Sequence, residues 1–217
     1  MLGEDVLYLP VRELGKRIRS GALSPVELAE SCLVRSERIG PRLNAYATLT
    51  PELALKQARA AEREIAAGCY RGPLHGIPYA AKDLLAVKGY PTTWGARPLA
   101  QQQFDYDATV IERLERAGAV LIGRAAMIEL AGGMGYRFAA TPLETNLETE
   151  LSFPDPLGGI GNLCGLPAIS VPCGFSETQL PVGLQFVGRA RNDRAVIAAA
   201  HRLQQLTDWH TKRPPIR

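Results

Sequence analysis

The chain has 217 residues, 46% hydrophobic and 22% charged, and its 25 basic and 22 acidic side chains leave a formal net charge of +3. This balance excludes a disordered chain, and charge spread along the sequence rather than clustered excludes a nucleic-acid footprint. No run approaches the ~20 apolar residues of a membrane span, the N-terminal Met-Leu-Gly-Glu-Asp lacks a basic, apolar leader, Cys32, Cys69, Cys164 and Cys173 form no C-x-x-C pair, and His75, His201 and His210 are scattered; the expectation is a cytoplasmic protein with no metal, no other cofactor, no membrane and no nucleic-acid partner.

In chain order, Ser24-Pro25-Val26-Glu27 reads as a capping box with proline at the first helical position, followed by Leu28, Cys32, Leu33 and Ile39 at helical spacing. Thr50-Pro51 opens a second helix whose stripe is Ala54, Ala58, Ala61 and Ile65, closed by Gly68. An apolar strand over 76–81 ends at Lys82. A third helix begins at Asp107, presents Val110, Leu114 and Ala117, and stops at Gly118. Ala119-Val120-Leu121-Ile122 is a continuous apolar run, as expected of a strand covered on both faces. Glu144 to Gly161 is acidic, then rich in proline and glycine, and reads as a loop. Ala168–Val171 and Val182–Val187 read as strands joined by a glycine-containing loop, and Asp193 caps a helix presenting Val196, Ala199, Ala200, Leu203 and Leu206. Pro214-Pro215 begins an extended tail. These elements predict an α/β layered fold with a mixed central sheet.

Residues 72–95 carry the chemistry. Lys82 sits at the end of an apolar strand and is followed by a loop rich in glycine and proline. Burial disfavours the charged form of a lysine, and a neutral amine accepts protons, so an apolar cleft makes such a residue a candidate general base. Asp83 offers the opposite outcome, an ion pair that keeps Lys82 charged.

The stretch Gly72-Pro73-Leu74-His75-Gly76-Ile77-Pro78 through Lys82-Asp83, with Gly89 to Thr92-Thr93-Trp94-Gly95 after it, resembles the amidase signature family and its G-P-L-x-G-I-P-x-x-x-K-D and G-x-x-T-T-x-G motifs. Asp107 to Arg124 is similar to a helix and strand of the same family, with arginine where lysine is commoner. Asn162 to Gly174 and Leu180 to Gly188 are similar to its C-terminal N-x-T-G-x-P-A-x-S-x-P-x-G and G-L-P-V-G-x-Q-x-V-G. The resemblance implies a reduced α/β/α sandwich and assigns Lys82 the role of base in a Ser-Ser-Lys triad. It also implies that Gly132, Gly133, Met134 and Gly135 line a substrate cleft with backbone groups, and that Cys164, where threonine is usual, faces the cleft. The alternatives for those glycines and for Cys164 are a plain connector and a buried small hydrophobe.

The family's glycine- and serine-rich block, with its bridging serine and the nucleophile segment after it, has no counterpart in motif form. A single amidase-like domain over 1–217 is expected, with residues 1–135 forming an N-terminal section, a seam near 135–160, and residues 161–217 forming a C-terminal section. Ser24 reads as a helix cap, Ser170 as a member of a buried strand and Ser176 as a turn residue, whereas Ser152, near the seam, is the least constrained. Three readings follow. The chain is an amidase-like hydrolase of a small carboxamide with Lys82 as general base, a catalytically inactive scaffold, or a structural or partner subunit. Removal of the middle segment is expected to uncover apolar surface and so to favour a homo-oligomer.

Overall fold

The computed structural model describes residues 1–127, 164–177 and 180–213, and the chain divides into two compact units, Met1–Thr145 and Asn146–Arg217. In the first unit the described elements are α1 (Glu4–Leu7), α2 (Val11–Arg19), α3 (Pro25–Leu43), β1 (Tyr46–Leu49), α4 (Pro51–Ala66), β2 (Pro78–Lys82), a 3-10 turn (Arg97–Leu99), α5 (Thr109–Arg116) and β3 (Val120–Ala125).

The two long helices form where capping and apolar spacing require them. The Ser24 hydroxyl oxygen accepts from Val26 N–H at 3.1 Å and Glu27 N–H at 3.2 Å, and its own proton goes to Glu62 on α4 at 2.5 Å. One residue therefore starts α3 and ties it to its neighbour. Ala54, Ala58 and Ala61 are buried along α4, and the first two pack with Ala29 and Leu33 of α3. Their small side chains allow close approach of the two helices.

β3 is the centre of a three-stranded mixed sheet in the order β1-β3-β2. β1 runs antiparallel to it with Thr48 opposite Arg124, and β2 runs parallel with Lys82 opposite Ala125. Successive strand residues point to opposite faces, and β3 uses this to build two cores. Val120 and Ile122 join Ala29, Leu33, Ala54 and Ala58, while Leu121 joins Ala81, Val87 and Ile111. Helices thus cover both faces, as the continuous apolar run predicts. Each large side chain buried this way contributes about 1.5–3 kcal/mol. Gly123 is required in this strand because a Cβ there would come within 2.8 Å of the Tyr46 ring and 3.0 Å of the Thr48 carbonyl oxygen.

Several expectations shift. The strand expected over 76–81 runs from Pro78 to Lys82. The third helix starts at Thr109 and buries Ile111, leaving Val110 exposed. Its start is displaced because the Asp107 carboxylate accepts from Lys88 N–H at 2.8 Å instead of capping the helix. Helix α2 buries Leu14 and Ile18 with Leu23, Leu28 and Ile77.

In the second unit, β4 (Ala168–Phe175) and β5 (Pro181–Val187) form an antiparallel pair, followed by α6 (Asp193–Leu206) and a 3-10 turn, Trp209–Thr211. Val196 and Ala200 of α6 are buried, as is Val171 of β4. Asn192, not Asp193, holds the N-cap position, without a side-chain bond. Ser170 is exposed rather than buried, because it alternates with Val171, which takes the covered face. Leu206, expected on the packed side of the helix, is 66% exposed. The tail expected from Pro214-Pro215 lies outside the described residues. Among the described residues no helix is long and apolar enough to cross a membrane.

Candidate functional site

Lys82 is the last residue of β2, and its peptide is held on both sides. Asp83 N–H donates to Ala125 O at 2.9 Å, and Lys82 O accepts from Leu85 N–H at 3.0 Å. The side chain is exposed, in contrast to the apolar surroundings expected for it. Among the described residues its amine makes no hydrogen bond or ion pair.

The expected alternative, an Asp83–Lys82 pair, does not form, and strand alternation is the reason. Lys82 points outward, so Asp83 points inward and is 1% exposed. There it meets Arg124, itself wholly buried, with Nη2 at 3.0 Å from Oδ1. Thr93 N–H donates to both carboxylate oxygens, at 3.1 and 3.3 Å, and the Thr93 hydroxyl makes a very short bond to Oδ2. Arg124 Nη2 also donates to Thr92 Oγ1 at 3.3 Å. Thr92 N–H and Gln102 O bond at 2.8 Å, and Gln102 returns its side-chain amide to Thr92 O at 2.9 Å. Trp94 then adopts a left-handed φ of 50° and Gly95 one of 70°, which turns the loop back. Burial disfavours the Arg124 charge and Asp83 opposes that effect; the guanidinium stays protonated, as arginine does in proteins. Its Nε and Nη1 have no hydrogen-bond partner among the described residues. Beside this network the Tyr79 phenol is pushed up to about 12, chiefly by desolvation and then by Glu115 and Asp107.

A second polar cluster surrounds His75, which is completely enclosed. Its Nδ1 accepts from Arg71 N–H at 3.1 Å, which places the ring proton on Nε2. Nε2 lies 3.2 Å from Glu64 Oε2, close enough for electrostatic attraction but off the axis of a hydrogen bond. Glu64 is itself gripped in a fork by Arg71, at 2.5 and 2.7 Å. Burial pushes the His75 ring below the ordinary histidine range, against the pull of Glu64. The cluster borders a cleft of about 330 Å³.

Cys164 is exposed and belongs to the second unit, so the buried alternative does not hold for it. Gly132, Gly133, Met134 and Gly135 lie outside the described residues, as do Ser152 and the Glu144–Gly161 stretch. Sequence reasoning missed the Asp83–Arg124–Thr93 network and the His75–Glu64–Arg71 cluster. For the first, the signal was present as Lys-Asp at a strand end, a Thr-Thr pair ten residues on and an arginine closing the next strand. For the second, the residues carry no recognisable spacing.

The fold and this constellation define an α/β protein with a mixed sheet, whose parallel strand pair ends at an outward lysine above an inward aspartate. The amidase family matches residues 27–142 and 156–197, and the chain belongs to that family, in its amidase signature group. Over 168 residues it is 39% identical to the A subunit of the glutamyl-tRNA(Gln) amidotransferase of Chloroflexus aurantiacus, a match covering 77% of this chain and 34% of that protein. It is 45% identical over 136 residues to the putative amidase AmiD of Mycobacterium tuberculosis, covering 62% of this chain and 28% of that one. Among solved structures, the native peptide amidase of Stenotrophomonas maltophilia is similar with a TM-score of 0.54 and 37% identity, over 58% of this chain and 26% of that one. The chain therefore spans about a third of the length of the curated relatives it matches.

Proposed function

We propose that the chain is an amidase-type hydrolase acting on the C–N bond of a small carboxamide, with Lys82 as general base. The observation that carries this reading is the amidase-family match over residues 27–142, within which Lys82 closes a strand parallel to β3. The names of its relatives, two amidases and one chain of an amidotransferase, support C–N chemistry as the reaction class. A lysine acts as a base only in its neutral form, by taking a proton from the attacking oxygen. In this chain that oxygen belongs to a water or to a hydroxyl beyond the described residues. Lys82 then returns the proton to the departing nitrogen as the tetrahedral intermediate collapses. Gly132–Gly135 and Cys164 are the proposed substrate contacts, and the cytoplasm is the proposed location.

Release of ammonia from a panel of short aliphatic and aromatic carboxamides tests this directly. Hydrolysis by the native chain, abolished in Lys82→Ala with the fold retained, is the expected result; hydrolysis that survives the substitution refutes it.

A second reading, a structural or partner chain that self-associates, is favoured by one observation. In the second unit Phe175, Leu180, Val182, Leu184, Val187, Ile197 and Leu206 are all at least 40% exposed. Val182 and Leu184 stand on one face of β5 and Val187 on the other, so exposed apolar side chains occur on both faces of this strand pair, as on surfaces that pair. Light scattering checks it, since a monomer at high concentration contradicts self-association.

A further inference from the structure

With no bonding partner on its amine among the described residues, Lys82 is placed by the backbone beneath it, and that backbone is fastened through one enclosed carboxylate. Asp83 follows Lys82 in β2. Arg124 precedes Ala125, the residue opposite Lys82 in β3. Thr92 and Thr93 begin the loop that turns at Trp94 and Gly95. Asp83 accepts from Arg124 and from both donors of Thr93, so the end of β2, the end of β3 and the loop share a single acceptor.

As a source of stability this arrangement is poor. Enclosing two charges costs about as much solvation as their attraction returns, and among the described residues Arg124 leaves Nε and Nη1 enclosed without partners, which costs more. What the arrangement does provide is one geometry. A carboxylate receiving donors from three directions admits little rotation, and the bond from Asp83 N–H to Ala125 O adjoins the Lys82 peptide. We propose that Asp83, Arg124 and Thr93 form a positioning unit that fixes the strand terminus from which Lys82 projects. The inference rests on Lys82 being the base, and the three residues act through it without touching substrate.

The test uses the full chain and three variants, Thr93→Val, Thr93→Ser and Asp83→Asn. Thr93→Val keeps the shape and the backbone N–H but removes the hydroxyl bond to Asp83, so it remains informative even where Asp83→Asn fails to fold. Amide hydrogen exchange is followed at Asp83, whose N–H belongs to the Lys82–Asp83 peptide, and at Leu85, whose N–H bonds Lys82 O, with Val120 N–H, bonded to Ile77 O, as the reference. In Thr93→Val, exchange at Asp83 and Leu85 is expected to quicken about tenfold, the factor set by one bond to a charged acceptor, while Val120 holds its native rate. Thr93→Ser restores slow exchange. With a hydrolysable amide, kcat falls about tenfold or more in Thr93→Val at unchanged KM and recovers in Thr93→Ser. Unchanged exchange at both amides in a folded Thr93→Val, or quickening at Val120 to the same extent, overturns the proposal, as does an unaltered kcat. Failure of the underlying reading is separate: it shows as hydrolysis that survives Lys82→Ala or as an inert native chain. In either event the exchange rates still decide whether the unit fixes the Lys82 backbone.

Discussion

Removing one member of the Asp83–Arg124 pair is a severe perturbation, and removing both is milder than the sum of the two. The charged atoms are 3.0 Å apart and both side chains are enclosed. At an effective dielectric of about 20 that separation corresponds to about 5 kcal/mol of attraction. Asp83→Ala strands the guanidinium with no counter-charge and is expected to cost about 3–5 kcal/mol. Arg124→Met replaces the cation with an apolar chain of similar reach and leaves Asp83 its two Thr93 donors, so its cost falls at the lower end, about 3 kcal/mol. In the double variant no charge is stranded, and the cycle yields a coupling of about 2–3 kcal/mol. The assay is urea unfolding at 25 °C read by Trp94 fluorescence in a Trp209→Phe background, because the chain has only 2 tryptophans and Trp94 follows Thr93 directly. Single-variant costs under about 1 kcal/mol, or additivity within about 0.5 kcal/mol, refute the view that the pair is enclosed and mutually dependent.

Other perturbations have defined outcomes. Gly118→Ala forces a Cβ to within 2.2 Å of the His75 ring at a φ of 79°; the left-handed backbone and the overpacking together predict a loss of about 2–4 kcal/mol, read in the same urea assay. Tyr79, held up at about 12 against an ordinary 10.0, keeps its proton while the unfolded chain loses it. The Tyr79 contribution is therefore complete below about pH 10 and falls by about 1–2 kcal/mol as pH rises towards 12, and a flat alkaline profile in the native chain, matching that of Tyr79→Phe, contradicts this. His75, held down by burial, has the opposite sign. Its contribution is full above about pH 6.5 and declines as pH falls, because the unfolded chain takes up the proton first; the acid-side slope should flatten in His75→Gln. Burial raises the Cys32 thiol, so iodoacetamide is expected to label the exposed Cys69 and Cys164 well before it, and peptide mass spectrometry with Cys32 labelled first would reverse that ordering.

Much of the architecture is legible where local chemistry and tertiary need coincide. Ser24 marks the start of α3, the alanine stripe of α4 marks a close helix contact, and the run from Ala119 to Ile122 marks a strand covered on both faces. β1 escapes such reading because Tyr46-Ala47-Thr48-Leu49 has no alternation of its own and is a strand only because Gly123, far along the chain, lets it approach. The site divides the same way. A lysine at a strand end is visible in the sequence, but its exposure follows from which way the strand faces, and only pairing with β3 fixes that. The inward partner of Asp83 is Arg124, 41 residues away, so no local pattern announces it.

The order in which the sheet's strands are made differs from the order in which they lie. β3 is the middle strand in space and the last of the three along the chain, so β1 and β2 each emerge during synthesis without a hydrogen-bonding neighbour. At about 5–20 residues per second, β1 waits ~4–15 s for its mate. During that interval the helices made before β3 have one another as partners, α3 with α4 through Ser24 and Glu62 and α2 with α3 through the cluster of Ile18 and Leu28. A nascent chain ending before Val120 therefore lacks the strand that lies between β1 and β2, and neither can take its place in the sheet.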